Sequence, residues 1–125
     1  MSLLSFGKSE KLKSRKVISR LFREGKSFSV FPLRVIFFVD QSAPAAAMPQ
    51  FTCSASKRHF KTAVDRNLLK RRMREAYRLV KPVLHDDNRS GRLEIMVIFV
   101  GKKILDYDTI SQAMVKGMHK MKQSL

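Results

Sequence analysis

The chain has 125 residues, 44% of them hydrophobic, with 26 Lys plus Arg against 10 Asp plus Glu, a formal charge of +16. This length and apolar share suit one domain with its own core, here residues 1–125, and exclude a fully disordered chain. The charge demands a polyanion, nucleic acid or anionic membrane, yet no stretch approaches the ~20 consecutive apolar residues that span a bilayer.

Residues 1–13 are polar and basic without periodicity and predict a loose arm. The opening Met1–Gly7 has no basic segment before its apolar residues and no small-residue cleavage site, so a cytoplasmic protein is expected. Ser14 can cap a helix whose apolar stripe is Val17, Ile18, Leu21 and Phe22, with Gly25 suited to the C′ position that ends it. After a short stretch from Lys26 to Pro32, the β-branched and aromatic run Leu33–Val39 reads as a strand. Gln41–Pro49, with two prolines and three consecutive alanines, reads as a loop.

Phe51–Ser56 alternates: Phe51, Cys53 and Ala55 form a dry face, and Thr52, Ser54 and Ser56 a wet one. Cys53 is the single cysteine, which excludes an internal disulfide and a four-thiolate zinc site; it reads as a small buried group. Residues 62–80 hold the longest helical pattern, ended by Pro82 and the polar segment 86–92. Leu93–Val100 is almost continuously apolar, as in a central strand with a parallel neighbour. A last helix starts near Asp108 with Ile110, Met114, Met118 and Met121 on one side. The expected architecture is α+β, a two-layer sandwich in the order α-β-β-β-α-β-α with a small mixed sheet, whose strand–helix–strand crossover average statistics would make right-handed.

Residues 57–78 contain nine Lys or Arg and two acids. With Arg66 at zero on a helical projection, Lys70, Arg74, Asn67, Arg78 and Arg71 fall between about 0° and 140°. Leu69, Met73, Ala76, Tyr77 and Val80 fall between about 280° and 20°. A merely solvated helix mixes signs along one face; on this one, Asp65 and Glu75 are expected to point elsewhere, so the row reads as a polyanion-binding face. Arginine's planar fork matches phosphate oxygens in pairs. Asn67 suits either a base edge or 2′-hydroxyl, or a plain surface amide.

Ser54, Ser56, Lys57 and Arg58, together with Phe22, the aromatics of the first strand and Phe60, can form a groove of hydroxyls, rings and charges, the kind of surface on which single-stranded nucleic acid stacks. The alternative for each ring is a place in the core. Lys102 and Lys103 either extend the positive rim or are simply solvated. His59, His85 and His119 are scattered without metal-ligand spacing, and there is no defensible Ser/His/Asp set and no phosphate-binding glycine loop. The side chains offer binding rather than bond cleavage.

The pattern Lys57-Arg58, Ala63-Val64-x-Arg66-Asn67-x-x-Lys70-Arg71-x-x-Arg74-Glu75-x-x-Arg78 resembles the signature of the bacterial ribonuclease P protein subunit. The flanking order of helix, strand, proline-containing loop and Ser-Ala-Ser-Lys-Arg fits too, and the resemblance covers residues 9–122. It implies a cofactor of a catalytic RNA that removes 5′ leaders from precursor tRNA. The RNA would hold the Mg²⁺ ions, and the protein alone would bind no cofactor and cleave nothing. It implies contact between the catalytic RNA and Arg66, Asn67, Lys70, Arg71, Arg74 and Arg78. A leader cleft would comprise Phe22, Ser54, Lys57, Arg58 and Phe60, with Lys102 and Lys103 at the rim. It also implies a ribosomal-protein-like fold with a left-handed crossover, a protein monomeric without RNA, and no membrane partner. Leu68, Ile18 and Ile36 stand where the family often has an arginine, an aromatic and a tyrosine. Two other classes fit the charge: a ribosomal RNA-binding protein, and a DNA-binding regulator using helix 62–80. Against the second, no helix precedes 62–80 at helix-turn-helix spacing and no heptads offer a dimer.

Overall fold

The computed structural model describes residues 15–43, 48–84 and 91–125. In chain order these form α1 (Arg15–Glu24), β1 (Lys26–Val30), β2 (Leu33–Asp40), β3 (Gln50–Ala55) and α2 (Ala63–Val80), then a 3₁₀ turn (Lys81–Leu84), β4 (Arg92–Phe99) and α3 (Tyr107–Gln123). The arm, the capping Ser14, most of the alanine-rich stretch and His85 lie outside the described residues.

The strands make one sheet in the order β1-β2-β4-β3. The apolar run of β4 is central, antiparallel to β2 and parallel to β3, and α2 is the crossover that a parallel neighbour requires. The stretch after α1 is itself a strand. In β1, Phe28 and Val30 are half-buried and Ser27 and Ser29 exposed, the period-two pattern of a one-sided strand.

That period divides the molecule into layers. Leu33, Val35 and Phe37 of β2, Phe51 and Ala55 of β3, and Leu93, Ile95, Val97 and Phe99 of β4 face α2 and α3. They meet Leu69, Met73 and Tyr77 of α2, and Ile110, Met114, Met118 and Met121 of α3, in the main core. Each large apolar side chain buried there contributes about 1.5–3 kcal/mol. The alternate residues Ile36 of β2 and Met96 of β4 point the other way and pack with Leu21 of α1, backed by Val17, Ile18, Phe38 and Ile98. The sheet therefore has a thick apolar layer on one side and a single short helix on the other.

Gly25 does end α1, its N–H donating to the Leu21 carbonyl at 2.9 Å. Its role is close approach rather than a left-handed backbone: a Cβ there would lie 2.5 Å from the Leu21 carbonyl oxygen and 3.0 Å from that of Phe37. The positive φ belongs instead to Gly91 (86°), at the entry to β4.

Candidate nucleic-acid interface

Helix α2 starts where Thr62 accepts from the Asp65 N–H at 3.3 Å, with Asp65 in the first turn where the helix dipole favours an acid. Leu69, Met73, Ala76, Tyr77 and Val80 are buried, as the projection requires, and the Tyr77 ring lies 4.1 Å from that of Phe51. The adjoining flank carries the cations. Asn67, Arg71 and Arg74 are exposed, while Arg66, Lys70 and Arg78 are half-buried along their stems. Cys53 sits beneath this helix, its thiol donating to the Lys70 carbonyl at 3.7 Å, and burial pushes its pKa up.

Three side chains of α2 are engaged within the protein rather than left free. Glu75 does not point elsewhere. Its carboxylate accepts from Arg78 Nη2 at 2.7 Å and Nε at 3.0 Å, which holds Glu75 below the usual carboxylate range and answers much of that arginine's charge. The sequence signal was present, since three residues separate neighbours on one helix face. Arg66 donates to the carbonyls of Phe60 (2.7 Å) and Lys61 (3.1 Å), locking the turn that enters α2. Arg72 donates to the Leu105 carbonyl, tying α2 to the segment after β4.

The second surface lies across the sheet. Phe22 on α1 is 57% exposed. It overhangs a hollow of about 240 Å³ whose floor and wall include Ser27, Arg34, Ile36 and Ile98. Strand register places Ser29, Arg34, Ile98 and Ser54 in one row across the sheet, with Ser27, Ile36, Met96 and Thr52 in the next. Ser54 is thus the direct neighbour of a residue lining the hollow. The row lies near the end of the sheet where β3 runs into Lys57 and Arg58, and β4 into Lys102 and Lys103; all four cations are exposed. Arg34 joins the surface although the reading of the sequence passed over it. Its signal was strand alternation, since Leu33, Val35 and Phe37 point inward.

Phe60 does not join it. The ring is 4% exposed and meets Phe99 edge-on at 5.6 Å between centroids, so it belongs to the main core. Its place in an unpatterned turn hid this. Phe37 is likewise core, and Phe38 lies under Arg20, whose guanidinium is 4.7 Å from the ring centroid.

Helix α1 is held over the sheet by charge as well as by apolar contact. Glu94, 0% exposed within the apolar run of β4, accepts from Arg20 at 2.7 Å and from Arg92 at 3.4 Å. Asp40 lies 3.7 Å from Arg20 and 3.6 Å from Arg92. Hydrogen bonds from Ser42, then the two arginines, keep the Asp40 carboxyl below its ordinary range. Among the described residues no three His, Cys, Asp or Glu side chains converge on a metal-sized site, and no helix is long and apolar enough to cross a membrane.

Comparison with known proteins shows what the whole chain is similar to. The family model described as Ribonuclease P matches residues 6–122. The ribonuclease P protein component of Porphyromonas gingivalis is 39% identical over 113 residues, covering 89% of this chain and 82% of the relative. That of Dictyoglomus thermophilum is 36% identical over 109 residues, covering 86% and 82%. The fold is that of the RNase P protein of Staphylococcus aureus (TM-score 0.69, 21% identity, 92% of this chain and 96% of that one). It is equally that of the RNase P protein of Thermotoga maritima (TM-score 0.70, 24% identity, 89% and 96%).

Proposed function

The chain belongs to the ribonuclease P protein family, a protein component serving tRNA processing, and from that premise we propose how its two basic surfaces divide the work. The flank of α2, with Asn67, Lys70, Arg71 and Arg74 and in part Arg66 and Arg78, binds the ribonuclease P RNA. The hollow under Phe22, continued through Arg34, Ser54, Lys57 and Arg58 to Lys102 and Lys103, takes the single-stranded 5′ leader of precursor tRNA. The observation that carries this division is the sheet itself: α2 packs on one side, and the Phe22 hollow opens on the other. One protein can then hold a folded RNA and a flexible strand at once.

In this reading the RNA, with its Mg²⁺, performs the phosphodiester cleavage. Four carboxylates among the described residues are engaged in holding the fold, which supports this reading. Glu94 and Asp40 hold α1, Glu75 holds Arg78, and Asp106 caps α3 by accepting from the Thr109 N–H at 3.0 Å. What the chain adds is attraction and orientation of the strand. It acts as one cytoplasmic domain, monomeric until it meets its RNA. Nothing in the fold or the comparisons favours a ribosomal role. A strand rather than a helix precedes α2, against a helix-turn-helix regulator.

The test uses holoenzyme assembled with transcribed ribonuclease P RNA and paired affinities for leader-bearing and leaderless tRNA. Lys70→Ala with Arg74→Ala weakens assembly for every substrate alike and makes the salt slope of RNA binding shallower by about two charges' worth. Lys57→Ala spares assembly and lowers the preference for precursor about tenfold, the size of one charge or stacking contact to a flexible strand. Equal loss of both affinities on Lys57→Ala refutes the leader assignment.

A further inference from the structure

Three large apolar side chains are left in solvent at one end of the sheet: Phe31, 73% exposed, in the β1–β2 turn, and Val100 (42%) and Ile104 (41%) in the segment after β4. Phe31, Val100, Lys102, Lys103 and Leu105 line a shallow hollow of about 310 Å³ that holds no acidic residue. Its two walls are fixed to the fold. The Val100 N–H donates to the Pro32 carbonyl at 2.8 Å, joining the Phe31 turn to the end of β4. The Leu105 carbonyl accepts from Arg72, anchoring the far end of the same segment to α2. A ring and two ammonium groups are thus presented on a braced backbone, which itself has little freedom to lose on binding.

We infer that Phe31 is a further stacking platform for an unpaired nucleobase of the leader, beyond the Phe22 hollow, with Lys102 and Lys103 facing the adjoining phosphates. This rests on the leader-cleft reading above and extends it. Two observations favour RNA over an apolar protein partner. The lining is cationic without a compensating acid, and the hollow continues an end of the sheet already carrying Arg34, Ser54, Lys57 and Arg58. Any base offers a π-face to a phenyl ring, so the platform responds to leader length more than to leader sequence.

The experiment measures holoenzyme affinity for precursor tRNAs whose leaders grow one nucleotide at a time, with 2-aminopurine placed at successive leader positions. Phe31→Ala leaves short-leader precursors unaffected and weakens binding about tenfold once the leader reaches the platform. The quenching of 2-aminopurine at that position is lost with it, and Phe31→Trp restores both. Because the side chain is exposed, the melting temperature of the variant stays at the wild-type value. If Lys57→Ala weakens precursor binding but Phe31→Ala does so at no leader length, the platform is refuted and the cleft stands. If neither does, the cleft reading falls and the platform falls with it. Equal weakening of leaderless tRNA or of assembly with the ribonuclease P RNA assigns Phe31 to another contact and overturns the inference. So does unaltered RNA binding with capture of Phe31 by a protein partner.

Discussion

Replacing Glu94 by alanine removes the fully buried one of the two acids that Arg20 and Arg92 share beneath α1. Deleting one partner of a buried ion pair costs about 3–5 kcal/mol, because the other charge is left without its counterion. The arginines here retain some relief: the side chains of Arg20 and Arg92 are 29% exposed, and Asp40 stays within 3.7 Å of both. The expected loss is therefore about 2–3 kcal/mol, discounted for solvent and for the surviving acid. For a chain of this size, each kcal/mol lowers the melting temperature by roughly 3–6 °C, so the fall is about 6–18 °C. Urea and thermal unfolding followed by circular dichroism measure it, and a double-mutant cycle with Arg20→Ala isolates the pair. The functional consequence is selective. Helix α1 carries Phe22, so under the proposed division of surfaces the residual folded protein should lose preference for leader-bearing tRNA while binding of the ribonuclease P RNA through α2 should persist. A loss below ~1 kcal/mol, the range of an exposed pair, refutes the reasoning and leaves α1 held by its apolar contacts alone.

Phe60→Ala should cost about 3–5 kcal/mol of stability, as a buried aromatic does. The ratio of precursor to mature tRNA affinity should not move; a selective loss of precursor binding at unchanged stability would return the ring to the cleft. The pH dependence of folding should carry the signature of Asp40. Its folded-state pKa is lowered, chiefly by the hydrogen bonds from Ser42, so its contribution is fully present above the unfolded value of about 3.9 and is lost as pH falls through the folded value. Asp40→Asn should destabilise at neutral pH and flatten the acid limb of the stability curve; parallel curves for the two proteins would exclude this role.

How much of this was legible in the sequence depends on whether a residue's surroundings repeat along the chain. The α2 flank was readable because 3.6 residues per turn sort Lys70 and Arg74 from Leu69 and Met73 without knowledge of a partner. The place of β4 was readable because an apolar run of eight has to be covered on both faces. Gly25 was read at the right position, the end of α1, where its N–H meets the Leu21 carbonyl; the carbonyl of Phe37, 3.0 Å from where a Cβ would lie, adds a constraint from a strand whose approach no local rule reports. Phe60 lies in a turn with no period, and the main core that buries it, with Phe99 of β4 edge-on to its ring, is assembled from residues distant in sequence. Glu94 is the one acid of an apolar run, but its partner Arg20 is 74 residues away in sequence. Arg34 was visible as the outward position of a one-sided strand.

The alternation of β4 has a further consequence for how this sequence can vary. Leu93, Ile95, Val97 and Phe99 supply the thick layer, and Glu94, Met96 and Ile98 supply the layer under α1. One strand is thus written in two interleaved scripts, each intelligible to one side only. Inserting or deleting one residue within it would exchange the scripts, setting a carboxylate among the methionines of α3 and a row of branched side chains against Arg20. Neither layer has a reading for the other's letters, so substitutions can accumulate in this strand but a change of phase cannot.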